Sequence, residues 1–176
     1  PLPHHRAPPA LTPHHGTRFT PHPIAPKLKL SQLIREAVVF GGDWPYVPCM
    51  INLDMGNVGK WAENNQIAYT TFTDLSQKVA VYDLIAEEVA KANKTLPKVA
   101  KVKKFVLLYK ELDADDEELT RTRKVRRNFV LQRYKEMVDG LYGDQAALDI
   151  VADIRYKDGT GYRMKTRVMI KEIGAD

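Results

Sequence analysis

The sequence predicts a small α+β domain: a small mixed β-sheet flanked by about three helices, with a C-terminal β-hairpin and a disordered N-terminal tail. Three observations predict it. β-branched and aromatic runs alternate with helix-period stretches from residue 33 onward, Asp158 and Gly159 stand between two alternating β-forming segments, and the prolines crowd into the first 26 residues. With 176 residues, 44% hydrophobic and 28% charged, the chain has room for one such domain. Collagen, coiled coil and wholesale disorder do not fit this composition.

Residues 1–26 differ from the rest. They hold all five histidines (His4, His5, His14, His15, His22) and eight of the eleven prolines. Proline removes backbone donors and fixes φ, which defeats helix and sheet alike, and few large apolar side chains offset the ordering entropy. A disordered, passive tail is expected. Imidazole is a good transition-metal ligand, but nothing holds these rings in one geometry, so no metal site is expected.

Residues 34–40 (IREAVVF) have the content of a buried strand, broken by Gly41, Gly42 and Asp43. Residues 46–53 (YVPCMINL) form a second strand, close enough to pair with the first as a hairpin, with Pro48 at an edge or bulge because it lacks an N–H. Asn57 can cap a short helix over 58–64 that buries Val58 and Trp61. A longer helix follows, capped by Asp74 or Ser76, with Val81, Ile85, Val89, Ala92 and Leu96 on one face and Pro97 ending it. Residues 103–109 (KKFVLLY) predict an interior strand. The acidic stretch 113–118 predicts a solvated loop. A third helix spans 126–142, with Val130, Tyr134, Met137, Val138 and Leu141 on one face and Gly143 in a left-handed C-terminal position. Residues 148–156 and 162–173 flank Asp158, Gly159, Thr160 and Gly161, a strong hairpin signal.

The chemistry this sequence excludes is as informative as what it contains. There is no GxSxG, no Walker-type phosphate loop and no HExxH. With histidine confined to the tail, a Ser–His or Cys–His nucleophile pair is excluded from the folded part. Cys49 alone cannot build a disulfide framework or a multi-cysteine zinc module, a reducing compartment is expected, and its place inside a strand predicts a buried structural thiol. No apolar run approaches the ~20 residues of a membrane-spanning helix, and residues 1–26 lack the apolar core of a secretory signal. Residues 113–118 lack EF-hand spacing.

One segment stands apart. Glu118, Leu119, Thr120, Arg121, Thr122, Arg123, Lys124, Val125, Arg126 and Arg127 place five cations within seven positions, after two threonines and before a helix. Lysine offers a mobile point charge for phosphate or carboxylate oxygens, and arginine adds forked donors. On charge alone a solvated basic turn is the favoured reading of the segment. Nucleic acid is not expected as a partner, because stacking aromatics are absent among the cations and the acidic loop would repel a phosphate backbone.

The stretches IREAVVFGGDWPYVPCMINLD, AYTTFTDLSQKVAVYDLIAEEV and KKFVLLYKELDADDEELTRTRKVRR resemble the C-terminal portion of bacterial long-chain fatty-acid CoA ligases, AMP-forming members of the adenylate-forming enzyme superfamily. ELTRTRK is the most specific element, being similar to that family's lysine-bearing loop, and Ile24, Ala25 and Pro26 resemble the end of its hinge motif. Composition sets off the tail over residues 1–26, and the resemblance implies that 27–176 are a lid domain. It implies that Lys124 is the catalytic lysine, reaching the substrate carboxylate and nucleotide during adenylation before the lid swings to admit CoA. Thr120 and Thr122 would orient the loop, while Arg121, Arg123, Arg126 and Arg127 would tune its surface or meet CoA phosphates.

The same resemblance implies ATP, Mg²⁺ and CoA as cofactors of the complete enzyme, with none bound stably by this chain alone. The phosphate loop, the Mg²⁺ carboxylate and the fatty-acid tunnel belong to an N-terminal adenylation domain whose residues this sequence does not include. That domain is therefore the expected partner, with fatty acid, ATP and CoA as substrates, in the cytoplasm or peripheral at a membrane. The rival expectation is a non-catalytic stand-alone module that recognises CoA-like anions or a protein partner.

Overall fold

The computed structural model describes residues 24–40, 46–155 and 158–174. The tail expected at 1–23, with its histidines, and the glycine turn expected at 41–43 lie outside the described residues. A short helix, α1 (Ile24–Leu28), opens the described part and buries Ile24 and Leu28, so residues 24–26, read from sequence as the end of the tail, are helical. β1 (Ile34–Val39) and β2 (Val47–Leu53) pair antiparallel as expected, through Val38 with Met50 and Val39 with Cys49.

β3 (Val102–Leu107) lies parallel to β2, and a two-residue strand, β6 (Lys171–Glu172), lies antiparallel on its other side, giving the order β1-β2-β3-β6. β2 is interior, so Pro48 is not at an edge. The register against β3 slips between Val47 and Pro48, the bulge that a residue without an N–H requires. β4 (Ala147–Arg155) and β5 (Gly161–Met169) form the expected C-terminal hairpin. The single strand expected over 162–173 divides at Ile170, whose N–H donates to Ala146 O at 2.8 Å before the chain leaves the hairpin to become β6.

Both faces of the main sheet are buried, and alternate residues feed two cores. Ala37, Val39, Cys49, Ile51, Phe105 and Leu107 face α1, α2 (Met55–Asn64), α3 (Phe72–Ser76) and α4 (Val79–Asn93). Val38, Phe40, Met50, Val106 and Leu108 face α5 (Arg127–Arg133), α6 (Lys135–Tyr142) and the inner side of the β4–β5 hairpin. Burial on both faces explains why β2 reads as a continuous apolar run rather than an alternating one. Cys49 is fully buried, as expected, and burial pushes its thiol pKa well above the ordinary range.

The helices depart from expectation for identifiable reasons. α2 begins at Met55 because Asp54, not Asn57, is its cap: the Asp54 carboxylate accepts from Asn57 N at 2.9 Å, and the Asn57 amide donates instead to Gln32 O. Val58 is buried, whereas Trp61 is only partly so. The long helix is two. Thr71 caps α3 by accepting from Asp74 N at 3.1 Å, and the break at Gln77 and Lys78 lets Gln77 Nε2 donate to Leu107 O on β3. α4 ends at Asn93, short of Pro97, where the Asn93 side chain bonds the backbone of Val102.

The third helix is also split, at Tyr134 (φ −101°, ψ 30°). Gly143 is extended (φ −94°, ψ −171°) rather than left-handed, and its carbonyl accepts from Lys104 Nζ at 2.9 Å. These two splits, together with α1, give six α-helices among the described residues where about three were expected.

Candidate functional site

The basic segment is a tight hairpin. Leu119 bridges Val125 in antiparallel fashion, Thr120 N donates to Lys124 O at 2.8 Å, and Arg123 N donates to Thr120 O at 2.8 Å. Closing so short a loop requires a left-handed residue, and Arg123 supplies it with φ 62°. The threonines work inside the turn: Thr120 Oγ1 accepts from Lys124 N at 3.0 Å and lies 3.1 Å from Thr122 Oγ1. Lys124 is exposed at this tip, and among the described residues its ammonium has no carboxylate partner.

The arginines do not converge on one point. Arg121 and Arg123 are exposed beside Lys124. Arg126 folds back, donating from Nη1 to Glu117 O at 3.1 Å with its guanidinium 5.2 Å from the Phe129 ring centroid. Arg127, the first residue of α5, is half-buried, and burial lowers its pKa from the ordinary guanidinium value. The tip therefore presents Arg121, Arg123 and Lys124 to solvent, while Arg126 and Arg127 belong to its stem.

The stem rests on a residue that the acidic composition of 113–118 concealed. Ala114, Asp115 and Glu117 are exposed as expected, but Glu118 is fully buried, which corrects the expectation of a wholly solvated loop. Glu118 Oε1 accepts from Lys110 Nζ and from Asp113 N at 3.2 Å. Its Oε2 accepts from the Tyr134 hydroxyl, with Arg133 Nε 3.7 Å away. Lys110 also pairs with Asp116 at 2.7 Å. A carboxylate removed from water persists only when charge-assisted donors replace its hydration, and these do. Burial, reinforced by the Glu118 charge, pushes the Tyr134 phenol far above its usual pKa, and burial pushes neighbouring Tyr109 up to about 12.

Sequence alone does not separate Glu118 from Glu117. The available signal was adjacency to Leu119, which is buried with Leu112 at the two ends of the loop.

Among the described residues no group of three or more His, Cys, Asp or Glu is arranged to hold a metal ion, and no helix is long and apolar enough to cross a membrane. The site is thus an exposed ammonium flanked by guanidinium groups on a rigidly closed turn. Such an arrangement can meet phosphate or carboxylate oxygens brought to it by another body.

The family model for the AMP-binding enzyme C-terminal domain matches residues 10–146. The long-chain-fatty-acid–CoA ligase FadD15 of Mycobacterium tuberculosis is 28% identical over 134 residues, covering 74% of this chain and 22% of that protein. The long-chain-fatty-acid–CoA ligase ACSBG2 of Gallus gallus is 28% identical over 147 residues, covering 73% and 19%. The chain thus spans about a fifth of the length of these curated relatives.

Among solved structures, the adenylation domain of a carboxylate reductase from Mycobacterium chelonae has TM-score 0.59 at 17% identity, over 77% of this chain and 19% of that one. The A-PCP didomain of a carboxylic acid reductase from Segniliparus rugosus, in complex with AMP, has TM-score 0.60 at 17% identity, over 76% and 17%. These two likenesses concern the fold. The sequence match extends over most of the chain and includes the whole basic hairpin: the chain belongs to the AMP-binding enzyme C-terminal domain family.

Proposed function

We propose that this domain is the lid of an AMP-forming long-chain fatty-acid CoA ligase and that Lys124 is its catalytic residue. The observation that carries the reading is the exposure of Lys124, without a carboxylate partner among the described residues, at the tip of a closed hairpin in a domain of this family. The curated relatives are named as long-chain-fatty-acid–CoA ligases, which supports the substrate class.

In the adenylation step a carboxylate oxygen attacks the α-phosphorus of ATP, the acyl–phosphate bond forms and pyrophosphate leaves. Two anions must approach, and a positioned ammonium offsets their repulsion and stabilises charge on the phosphoryl oxygens. Lys124 fits that task because no carboxylate among the described residues pairs with it. Thr120 and Thr122 hold the turn that presents it, while Arg121 and Arg123 at the tip tune its surface or meet CoA phosphates. Arg126 and Arg127 act from the stem. ATP, Mg²⁺, fatty acid and CoA are bound by the complete enzyme, and the described residues offer no carboxylate cluster for Mg²⁺. In this reading the lid takes in α1 and so begins at residue 24 rather than 27, and the enzyme works in the cytoplasm or at a membrane surface.

The test is to assay AMP and acyl-CoA formation with ATP, Mg²⁺, CoA and palmitate. The chain alone should give no turnover. With the N-terminal domain of the FadD15 ligase supplied in trans, the wild-type chain should restore adenylation, and Lys124→Ala should lower its rate by about 10²–10³-fold. Equal adenylation by wild type and Lys124→Ala would sink the proposal.

A further inference from the structure

We infer that Glu118 is a positioning residue for the lysine hairpin: its buried carboxylate fixes the direction in which Lys124 points from the domain. This rests on the lid reading for its role in the reaction, though not for the anchoring itself.

The geometry begins with what the tip lacks. Among the described residues, the hydrogen bonds of Thr120, Thr122, Arg123 and Lys124 stay inside the hairpin. A turn bonded only to itself is rigid internally, but those bonds cannot aim it. Its direction is set at its root, where the strand pair ends and the body begins.

Glu118 stands at that root and is held three times, first by its own N–H, which donates to Asp113 O at 3.1 Å. Its carbonyl accepts from Arg126 N at 2.8 Å, closing the stem one step beyond the bridge of Leu119 with Val125. Its side chain points the other way, into the body. There Lys110 follows β3, Asp113 opens the acidic loop, and Tyr134 lies between α5 and α6; each donates to the carboxylate. Arg133 of α5 lies 3.7 Å from it as well.

Donors from separate elements converge on one planar group, so a tilt or slide of the hairpin would break several charge-assisted bonds together. Leu119, buried beside it, resists lifting, and its N–H adds a longer bond to Asp113 O at 3.3 Å. The support is itself braced. Asn52, buried on β2, donates from Nδ2 to Lys110 O at 2.9 Å and accepts from Leu112 N at 3.1 Å. The chain from β3 to the hairpin is thereby tied to the centre of the sheet.

The experiment has two arms. In the first, amide hydrogen exchange is followed by NMR on the 176-residue chain, comparing wild type with Glu118→Gln and Tyr134→Phe. The reporters are the amides of Glu118, Leu119 and Arg126, which bond at the root of the hairpin, against Met50 and Val106 in the sheet. Each substitution should speed exchange at the hairpin reporters by about tenfold or more while leaving the sheet amides unchanged. Unchanged hairpin rates, or hairpin and sheet rates rising in step, would overturn the proposal. Should Glu118→Gln fail to fold, Tyr134→Phe decides the same question.

In the second arm, adenylation is measured with the FadD15 N-terminal domain in trans. Glu118→Gln should lower kcat by about tenfold with little change in KM, and should cost nothing further in a Lys124→Ala background. An equal loss in that background would make Glu118 merely structural. If Lys124→Ala itself has no effect, the lid reading fails and Glu118 loses its role in the reaction, while the exchange arm still decides whether it anchors the hairpin.

Discussion

Asn93 closes two hydrogen bonds on the backbone of Val102: its Nδ2 donates to Val102 O and its Oδ1 accepts from Val102 N, both at 2.8 Å. Asn93 is the last residue of α4 and Val102 the first of β3, and both are buried. One amide thus fixes where the helix ends and at what height the next strand enters the sheet. Asn93→Ala would leave a buried N–H and a buried carbonyl without these partners, at a cost of about 2–3 kcal/mol. The thermal midpoint should fall by about 5–10 °C. Asn93→Asp should not rescue it, because the donor to Val102 O is lost. Circular-dichroism melts check this, and a wild-type midpoint in either variant would refute it.

Gly140 carries α6 past the β4–β5 hairpin. A Cβ there would lie 2.5 Å from Leu148 Cδ1, 2.9 Å from Cδ2 and 3.1 Å from Cγ, so no rotation of the terminal methyls alone makes room. Gly140→Ala gains about 1 kcal/mol of helix propensity but forces the whole Leu148 side chain to move, at a cost of about 1–3 kcal/mol. The net expectation is a modest loss of stability. Leu148→Val should relieve part of it, so urea denaturation of the two single variants and the double variant should show the pair costing less than the sum. Strict additivity would mean that the two side chains do not meet.

The parts of the fold legible in the sequence were those determined locally. β1, β2 and β3 announce themselves as apolar runs because both faces of the sheet are covered, and the final hairpin is marked by Asp158 and Gly159, the latter at φ 86°. What was not legible depends on partners distant in sequence. The break at Gln77 and Lys78 makes sense only with Leu107 O in place to receive the Gln77 amide. Tyr134 joins Glu118 across 16 positions, and β6 pairs with Lys104 and Phe105 of β3. Composition likewise marks residues 119–127 as a basic segment and cannot tell that Arg121 and Arg123 face water while Arg127 turns inward. Nor can it tell the buried Glu118 from its exposed neighbour.

The protein should lose stability in alkali earlier than its surface charge suggests. Burial raises the pKa of the Cys49 thiol and of the Tyr82 and Tyr134 phenols well above their ordinary values, and pushes Tyr109 and Tyr142 up to about 12. The folded state keeps these protons where the unfolded chain releases them: from about pH 8.5 for the thiol and about pH 10 for the phenols. Stability from these groups is therefore complete below about pH 8.5 and drains away as pH rises towards 12, at up to about 1.4 kcal/mol per pH unit for each group. Urea titrations between pH 7 and 11 should show a plateau and then a decline, with Cys49→Ala removing the earliest part. A stability that holds or rises through pH 10 would contradict the burial of these groups. In the native state, iodoacetamide should not label Cys49 at pH 8.

Arg123 separates geometry from charge in the hairpin. Its φ of 62° is one that glycine and asparagine adopt readily and a β-branched residue resists, by about 1–2 kcal/mol. Arg123→Gly and Arg123→Val both remove the guanidinium, yet only the valine opposes the turn that brings Thr120 N to Lys124 O. If the turn is what presents Lys124, Arg123→Gly should keep the slow exchange of the Thr120 and Lys124 amides and most of the adenylation rate restored in trans. Arg123→Val should lose both, by about tenfold each, with Arg123→Asn close to glycine. The ordering valine below glycine identifies backbone conformation as the requirement. Equal loss in all three would assign the effect to the missing positive charge, placing Arg123 among the groups that meet the phosphates.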